Sequence, residues 1–167
     1  MANSLRGRTA LVTGAASGIG AAIAEAFAVE GANLMLADLN ASGLSATVER
    51  TREHQVEVDT EVVDVTDADA SRQLVESTVE RFGALDVLVN AAGVVRSVPF
   101  TEMSVEAWDD MIAADLRSVF LCCRWAAPVM VAQGGGRIVN VSSQIALKGG
   151  VEIAHYTAAK AGVIGLT

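Results

Sequence analysis

Short apolar runs alternate along this chain with longer stretches of helical period, a pattern that builds βαβ units and a parallel sheet with helices on both faces. The spacing predicts strands over Thr9 to Thr13, Asn33 to Asp38, Val56 to Val63, Leu85 to Val89 and Arg137 to Val141. Between them it predicts helices over Gly18 to Glu30, Ala41 to Glu53, from the capping pair Thr66 and Asp67 to about Phe82, and from Ser104 to about Gln133. Ala21, Ala22 and Ala24 suit the first helix to close packing on the sheet, and Pro128 is placed to bend the fourth helix near its end. Gly83 stops the third helix, and Gly134, Gly135 and Gly136 break the fourth. A last helix begins near His155. Right-handed crossovers place the strands in the doubly wound order 3-2-1-4-5, a Rossmann-type sheet, and leave the fifth strand as a bare apolar edge.

With 167 residues, 51% of them hydrophobic, the chain suits one domain, residues 1–167, with a sizeable core. A formal net charge of -8 argues against nucleic acid and anionic membrane surfaces as partners. The most apolar long stretch, Met111 to Val131, holds Asp115, Arg117, Arg124 and Pro128 and is poor material for a membrane span. No apolar core of the signal-peptide type precedes Leu11, so the expectation is a cytoplasmic protein. Cys122 and Cys123 are adjacent in a helical pattern and read as small buried residues. His54 and His155 have no partners at ligand spacing, and no metal site is expected.

Candidate chemistry concentrates in two places. Gly14, Gly18 and Gly20, with Ser17 and Ile19 between them, lie where the first strand turns into the first helix, the place where backbone approaches a pyrophosphate. A tight strand-to-helix connection is the plainer reading of glycines at this spacing. Asp38 ends the second strand eighteen residues after Gly20 and is suited to accept from both ribose hydroxyls of an adenosine while repelling a 2′-phosphate. Ser17 and Leu39 supply no cation for that phosphate, so the expected cofactor is NAD rather than NADP; Arg6 and Arg8 read as solvated charges. Near the other end, Tyr156 and Lys160 stand four apart on one helical face, and Ser143 lies thirteen residues before the tyrosine. An ordinary phenol, with a pKa of about 10, keeps its proton at neutral pH, and a nearby ammonium favours the phenolate.

These motifs together resemble the short-chain dehydrogenase/reductase family over essentially the whole chain. By that resemblance, Ser143, Tyr156 and Lys160 fall on the catalytic Ser, Tyr and Lys, and Tyr156 is the acid/base for hydride chemistry between a secondary alcohol and a ketone. Ser143 is preferred to Ser142 as the hydroxyl at the reacting oxygen, and Lys160 also holds the nicotinamide ribose. The resemblance further implies that Asp64 and Val65 hold the adenine, and that Asn90, Ala91, Ala92 and Gly93 stabilise the sheet and line the cofactor. The segment around Tyr156 looks most like 3-oxoacyl-thioester reductases and their hydroxyacyl, steroid and polyol relatives. Gln144, Lys148 and Glu152 either line the pocket mouth or are solvated loop residues.

Two departures from the family pattern stand out. Asp115 occupies the position where the family usually has an asparagine thought to hold a water in a proton relay. An ionised aspartate accepts from that water but cannot donate, and its charge beside Lys160 alters the tuning of Tyr156. Family members also continue beyond this point with further strands and a substrate-covering region, so the resemblance implies a chain truncated within the catalytic helix and a homo-oligomer for the full-length member. A non-catalytic dinucleotide-binding module is the competing reading. A methyltransferase of similar fold leaves the Tyr-Lys pair unexplained.

Overall fold

A computed structural model describes residues 4–167. Five parallel strands, β1 (Thr9–Thr13), β2 (Asn33–Asp38), β3 (Val58–Val62), β4 (Val87–Asn90) and β5 (Arg137–Asn140), form one sheet in the order β3-β2-β1-β4-β5. The doubly wound order read from the sequence holds.

Side chains alternate across a strand, and here the alternation feeds two cores. Ala10, Val12, Leu34, Leu36, Val87 and Val89 pack on one face with Ala24 and Ala28 of α1 (Gly18–Val29) and Leu44 of α2 (Ala41–Thr51). Leu11, Met35, Ala37 and Leu88 pack on the other with Leu74 and Val75 of α3 (Ala68–Phe82). Because both faces are covered, the central strands are apolar at nearly every position. Cutting fully buried Leu11 or Leu88 to Ala is worth on the order of 2–5 kcal/mol. In α1, Gly20, Ala21, Ala24 and Ala28 are buried, whereas Ala22 faces solvent.

Helix ends follow the capping chemistry. Asn40 accepts from the Gly43 N–H at the start of α2, and Asp67 from the Ala70 N–H at the start of α3. Gly83 closes α3 with a φ of 81°.

The fourth strand begins two residues later than the apolar run suggests. Leu85 is fully buried, but its backbone bonds to a side chain rather than a strand: its N–H donates to Gln133 Oε1 at 3.3 Å, and its carbonyl accepts from Gln133 Nε2 at 2.7 Å. Arg8 is mostly exposed, as expected of a solvated charge, and also pairs with Asp86 at 2.6 Å at the amino end of the sheet.

The long helix from Ser104 is interrupted in its hydrogen bonding. It runs as α4 (Val105–Ile112), a widened π turn (Ala113–Arg117) and α5 (Ser118–Ala132). The Ser118 N–H reaches back five residues to the Ala113 carbonyl, and the Ser118 hydroxyl donates to the Ala114 carbonyl at 2.6 Å. Two further helices follow β5: α6 (Ile145–Lys148), which the sequence reading missed, and α7 (Ala154–Leu166). Thirteen residues of α7 are formed, so Tyr156 and Lys160 sit on a helix that continues past both. Among the described residues β5 pairs with β4 alone, and Val139 on it is 47% exposed.

Candidate active site

β1 and β4 stay paired to their carboxyl ends, Thr13 beside Asn90, and the strand order reverses between them, which in an open α/β sheet is where a ligand crevice forms. A cleft of about 480 Å³ opens there. Its lining brings together the turn after β1, the ends of β2 and β3, the loop after β4, the π turn and α7.

Gly14 carries a φ of 68°, and a Cβ there would stand 2.6 Å from the Ala92 nitrogen. A Cβ on Gly20 would run into the Gly14 carbonyl oxygen. Both positions need glycine because backbone passes where a side chain would go. The close passage sets the amino end of α1 against the cleft, with no acidic residue in its first turn. Unpaired N–H groups and the positive end of the helix dipole favour an anion at such a terminus. Ser17, Gly18 and Ile19 form the exposed lip of this turn.

Asp38 and Leu39 line the cleft at the end of β2. Asp38 already holds local backbone: Oδ2 accepts from the Ala16 N–H at 3.0 Å and Oδ1 from the Asn40 N–H at 2.9 Å. Asp64 is exposed on the rim, with Oδ1 accepting from the Thr66 N–H and hydroxyl, while Val65 is buried beside it. Ala91, Ala92 and Gly93 form the wall between β4 and the π turn. Asn90 is turned elsewhere. Its amide is 2% exposed and donates to Asn140 Oδ1 at 2.8 Å, tying β4 to β5 instead of lining the cleft.

Tyr156 and Lys160 enter the cleft together from α7. The ammonium stands 5.7 Å from the centre of the phenol ring, close enough for a cation–π attraction. It donates to the Val141 carbonyl at 3.2 Å and lies 3.0 Å from Asp115 Oδ1. That second contact is an ion pair by distance, approached off the line of a good hydrogen bond. Asp115 Oδ2 accepts from the Val94 N–H at 3.0 Å. The π turn places this carboxylate inside the protein, where it is fully buried, and only the lack of a side chain at Gly93 makes room for it.

The two adjacent serines have different partners. Ser142 lines the cleft, and its hydroxyl donates to the Lys160 carbonyl at 2.8 Å. Ser143 lies outside the cleft lining, and its hydroxyl oxygen accepts from the Ile145 N–H at 3.3 Å. Gln144, Lys148 and Glu152 are exposed and outside the lining, with Lys148 Nζ donating to Gln144 Oε1. Among residues not singled out from sequence, Val94, Val95 and Ala114 line the cleft, as does Thr66, read from sequence only as a helix cap. Each is an ordinary residue of a loop or helix, and nothing in its type signals the role.

Elsewhere, burial pushes the Cys122 thiol up to about 12, and Cys123 is also raised, chiefly by burial. Among the described residues, no group of three or more His, Cys, Asp or Glu side chains is placed to hold a metal ion, and no helix is long and apolar enough to cross a membrane.

A family model described as short chain dehydrogenase matches residues 8–167. The chain is 41% identical over 163 residues to a 3-oxoacyl-(acyl-carrier-protein) reductase of Thermotoga maritima, covering 98% of this chain and 66% of that protein. It is 41% identical over 163 residues to the D-threitol dehydrogenase of Mycolicibacterium smegmatis, covering 98% of this chain and 63% of the relative. The crystal structure of levodione reductase superposes with a TM-score of 0.94 at 36% identity, over 98% of this chain and 64% of that one. The chain therefore spans slightly less than two thirds of the length of each of these three relatives.

Proposed function

From the chain's membership of the short-chain dehydrogenase family, we propose that it binds NAD(H) in this cleft and interconverts a secondary alcohol and a ketone, with Tyr156 as the acid/base. One observation carries the reading: the glycine turn at the amino end of α1 and the Tyr156–Lys160 pair line the same cleft.

The residues present fit a dinucleotide. The close backbone passage at Gly14 and Gly20 leaves room for a diphosphate against the N–H groups that open α1. Asp38 and Leu39 would take the adenosine ribose, Asp64 and Val65 the adenine, and Ala91 to Gly93 the wall beside the nicotinamide half. The negative charge of Asp38 beside the ribose position favours NAD over NADP. When bound, a nicotinamide supplies the site of hydride gain or loss. Tyr156 gives a proton to the substrate oxygen, or takes one from it, as that oxygen changes between hydroxyl and carbonyl. Ser143, next to the cleft-lining Ser142, would turn its free hydroxyl hydrogen to the same oxygen, and Lys160 stands beside the phenol ring on the same helical face. The substrate reading is a small secondary alcohol or ketone, in a cytoplasmic enzyme that assembles with copies of itself.

A second reading has one observation in its favour. Lys160 is held by Asp115 and the Val141 carbonyl and is only 5% exposed, an arrangement that suits a dinucleotide-binding module without turnover. Titration of the purified chain with NADH, followed by nicotinamide fluorescence, and then an assay of secondary alcohols with NAD separate the two. Binding with turnover that is lost in Tyr156→Phe supports the oxidoreductase; binding without turnover supports the module. Absence of binding overturns both.

A further inference from the structure

The glycine turn is held from behind by a residue that touches no part of the cleft. Thr47, in the second turn of α2, is completely buried, and its hydroxyl donates to the Ala15 carbonyl at 2.8 Å. A hydroxyl has one proton, and this contact is shorter than its alternative, the Gly43 carbonyl at 3.2 Å. The same oxygen accepts from Arg50 Nη2 at 3.0 Å, and Arg50 pairs with Glu25 of α1.

The Ala15 carbonyl and the Ala16 N–H belong to one planar peptide and point in opposite directions. The first is held by Thr47 and the second by Asp38 Oδ2. Asp38 Oδ1 in turn accepts from the N–H of Asn40, the cap of α2, the helix that carries Thr47. The hydrogen bonds therefore close a circuit through the end of β2, the glycine turn and α2. Gly43, four residues before Thr47 and on the same helical face, lets α2 approach closely enough: a Cβ there would stand 2.7 Å from Ala16 Cβ.

We propose that Thr47 is a positioning residue for dinucleotide recognition, fixing the Ala15–Ala16 peptide so that Asp38 is presented to the adenosine ribose. The inference rests on the dinucleotide reading above. Thr47→Val keeps the shape but leaves the Ala15 carbonyl buried without its donor and frees the peptide to rotate away from Asp38. Thr47→Ser keeps the hydroxyl.

The test is fluorescence titration of the unaltered chain and both variants with NADH and NADPH, well below each variant's unfolding midpoint. In Thr47→Val the NADH Kd is expected to rise about tenfold, and the preference for NADH over NADPH to fall by about the same factor. Thr47→Ser should stay within about twofold of the unaltered chain in both. A purely structural role lowers the unfolding midpoint and leaves the NADH/NADPH ratio alone, and that outcome overturns the proposal. Equal losses in the Ser and Val variants overturn it as well. If Thr47→Val fails to fold, Arg50→Leu, which removes the cation held on the hydroxyl, must lower the same ratio, and an unchanged ratio counts against the proposal. An unaltered chain that binds neither nucleotide overturns the dinucleotide reading, and this inference with it.

Discussion

Asp115 Oδ1 lies 3.0 Å from Lys160 Nζ, with both side chains shut off from solvent. The pair joins the π turn to α7, and the other oxygen of Asp115 holds the Val94 N–H of the loop after β4. Removing one member of a buried pair strands the other as an unpaired charge. Asp115→Ala is therefore expected to cost about 3–5 kcal/mol in urea unfolding. Asp115→Asn keeps one acceptor oxygen, enough for Val94 or Lys160 but not both in place, and should cost less than Ala while still leaving the ammonium without its counter-charge. A loss below about 1 kcal/mol in the Ala variant would match an exposed pair and would contradict the coupling of these elements.

The glycine turn makes a sharper demand on sequence. Gly14→Ala combines a φ of 68° with a Cβ 2.6 Å from the Ala92 nitrogen, and Gly20→Ala meets the Gly14 carbonyl oxygen. Either change forces backbone to shift where the diphosphate is expected to lie, and at Gly14 the positive φ alone adds about 1–3 kcal/mol of strain. NADH titration should show affinity falling at least about tenfold in both variants. Unchanged affinity in folded protein would place the nucleotide elsewhere.

Tyr156→Phe removes one hydroxyl and leaves the helix intact. Turnover is expected to fall by about 10²- to 10⁴-fold, the usual contribution of a positioned acid/base, while the NADH Kd changes by less than about threefold. Paired kinetics and titration check both halves. Retention of turnover would dismiss the phenol as the proton donor.

The buried thiol sets a pH window for stability. Cys122 is raised from 9.0 to about 12 in the folded chain, chiefly by burial. The unfolded chain therefore releases this proton first as pH rises, and stability falls from about pH 9 upward until about pH 12. Urea midpoints should drop between pH 8 and pH 10, and by less in Cys122→Ala. At pH 8 a thiol reagent should label Cys122 only after denaturation. Rapid labelling of both cysteines in the native protein would rule out the buried placement.

Much of this architecture is legible from period and punctuation alone. The strand order follows from five apolar runs alternating with helices, and the bounds of β1 and β2 match because apolar residues and structure end together at Thr13 and Asp38. Tyr156 and Lys160 share a face because a spacing of four does so on any helix. Where the reading slipped, a tertiary partner decided. The run from Leu85 looks like strand, but Gln133, forty-eight residues away, takes both backbone groups of Leu85. The π turn escapes notice because one extra residue in a helical turn barely disturbs a hydrophobic pattern. Thr47 escapes notice because its partner is a carbonyl thirty-two residues back, in another element.

That extra residue has a consequence for how the gene can change length. Each residue turns an α-helix by 100°, so the π turn sets the faces of α4 and α5 out of phase with a single uninterrupted helix. α4 packs against α7, while α5 packs against α3 and β4. Deleting one residue between Ala113 and Arg117 would restore a regular ladder and swing one of those faces away from its partner. Substitution there acts on single contacts, Asp115 with Lys160 and Val94, Leu116 against Gly162 and Arg117 with the Thr66 carbonyl, whereas a deletion moves a whole helix face, so single-codon deletions should be the least tolerated changes in this helix.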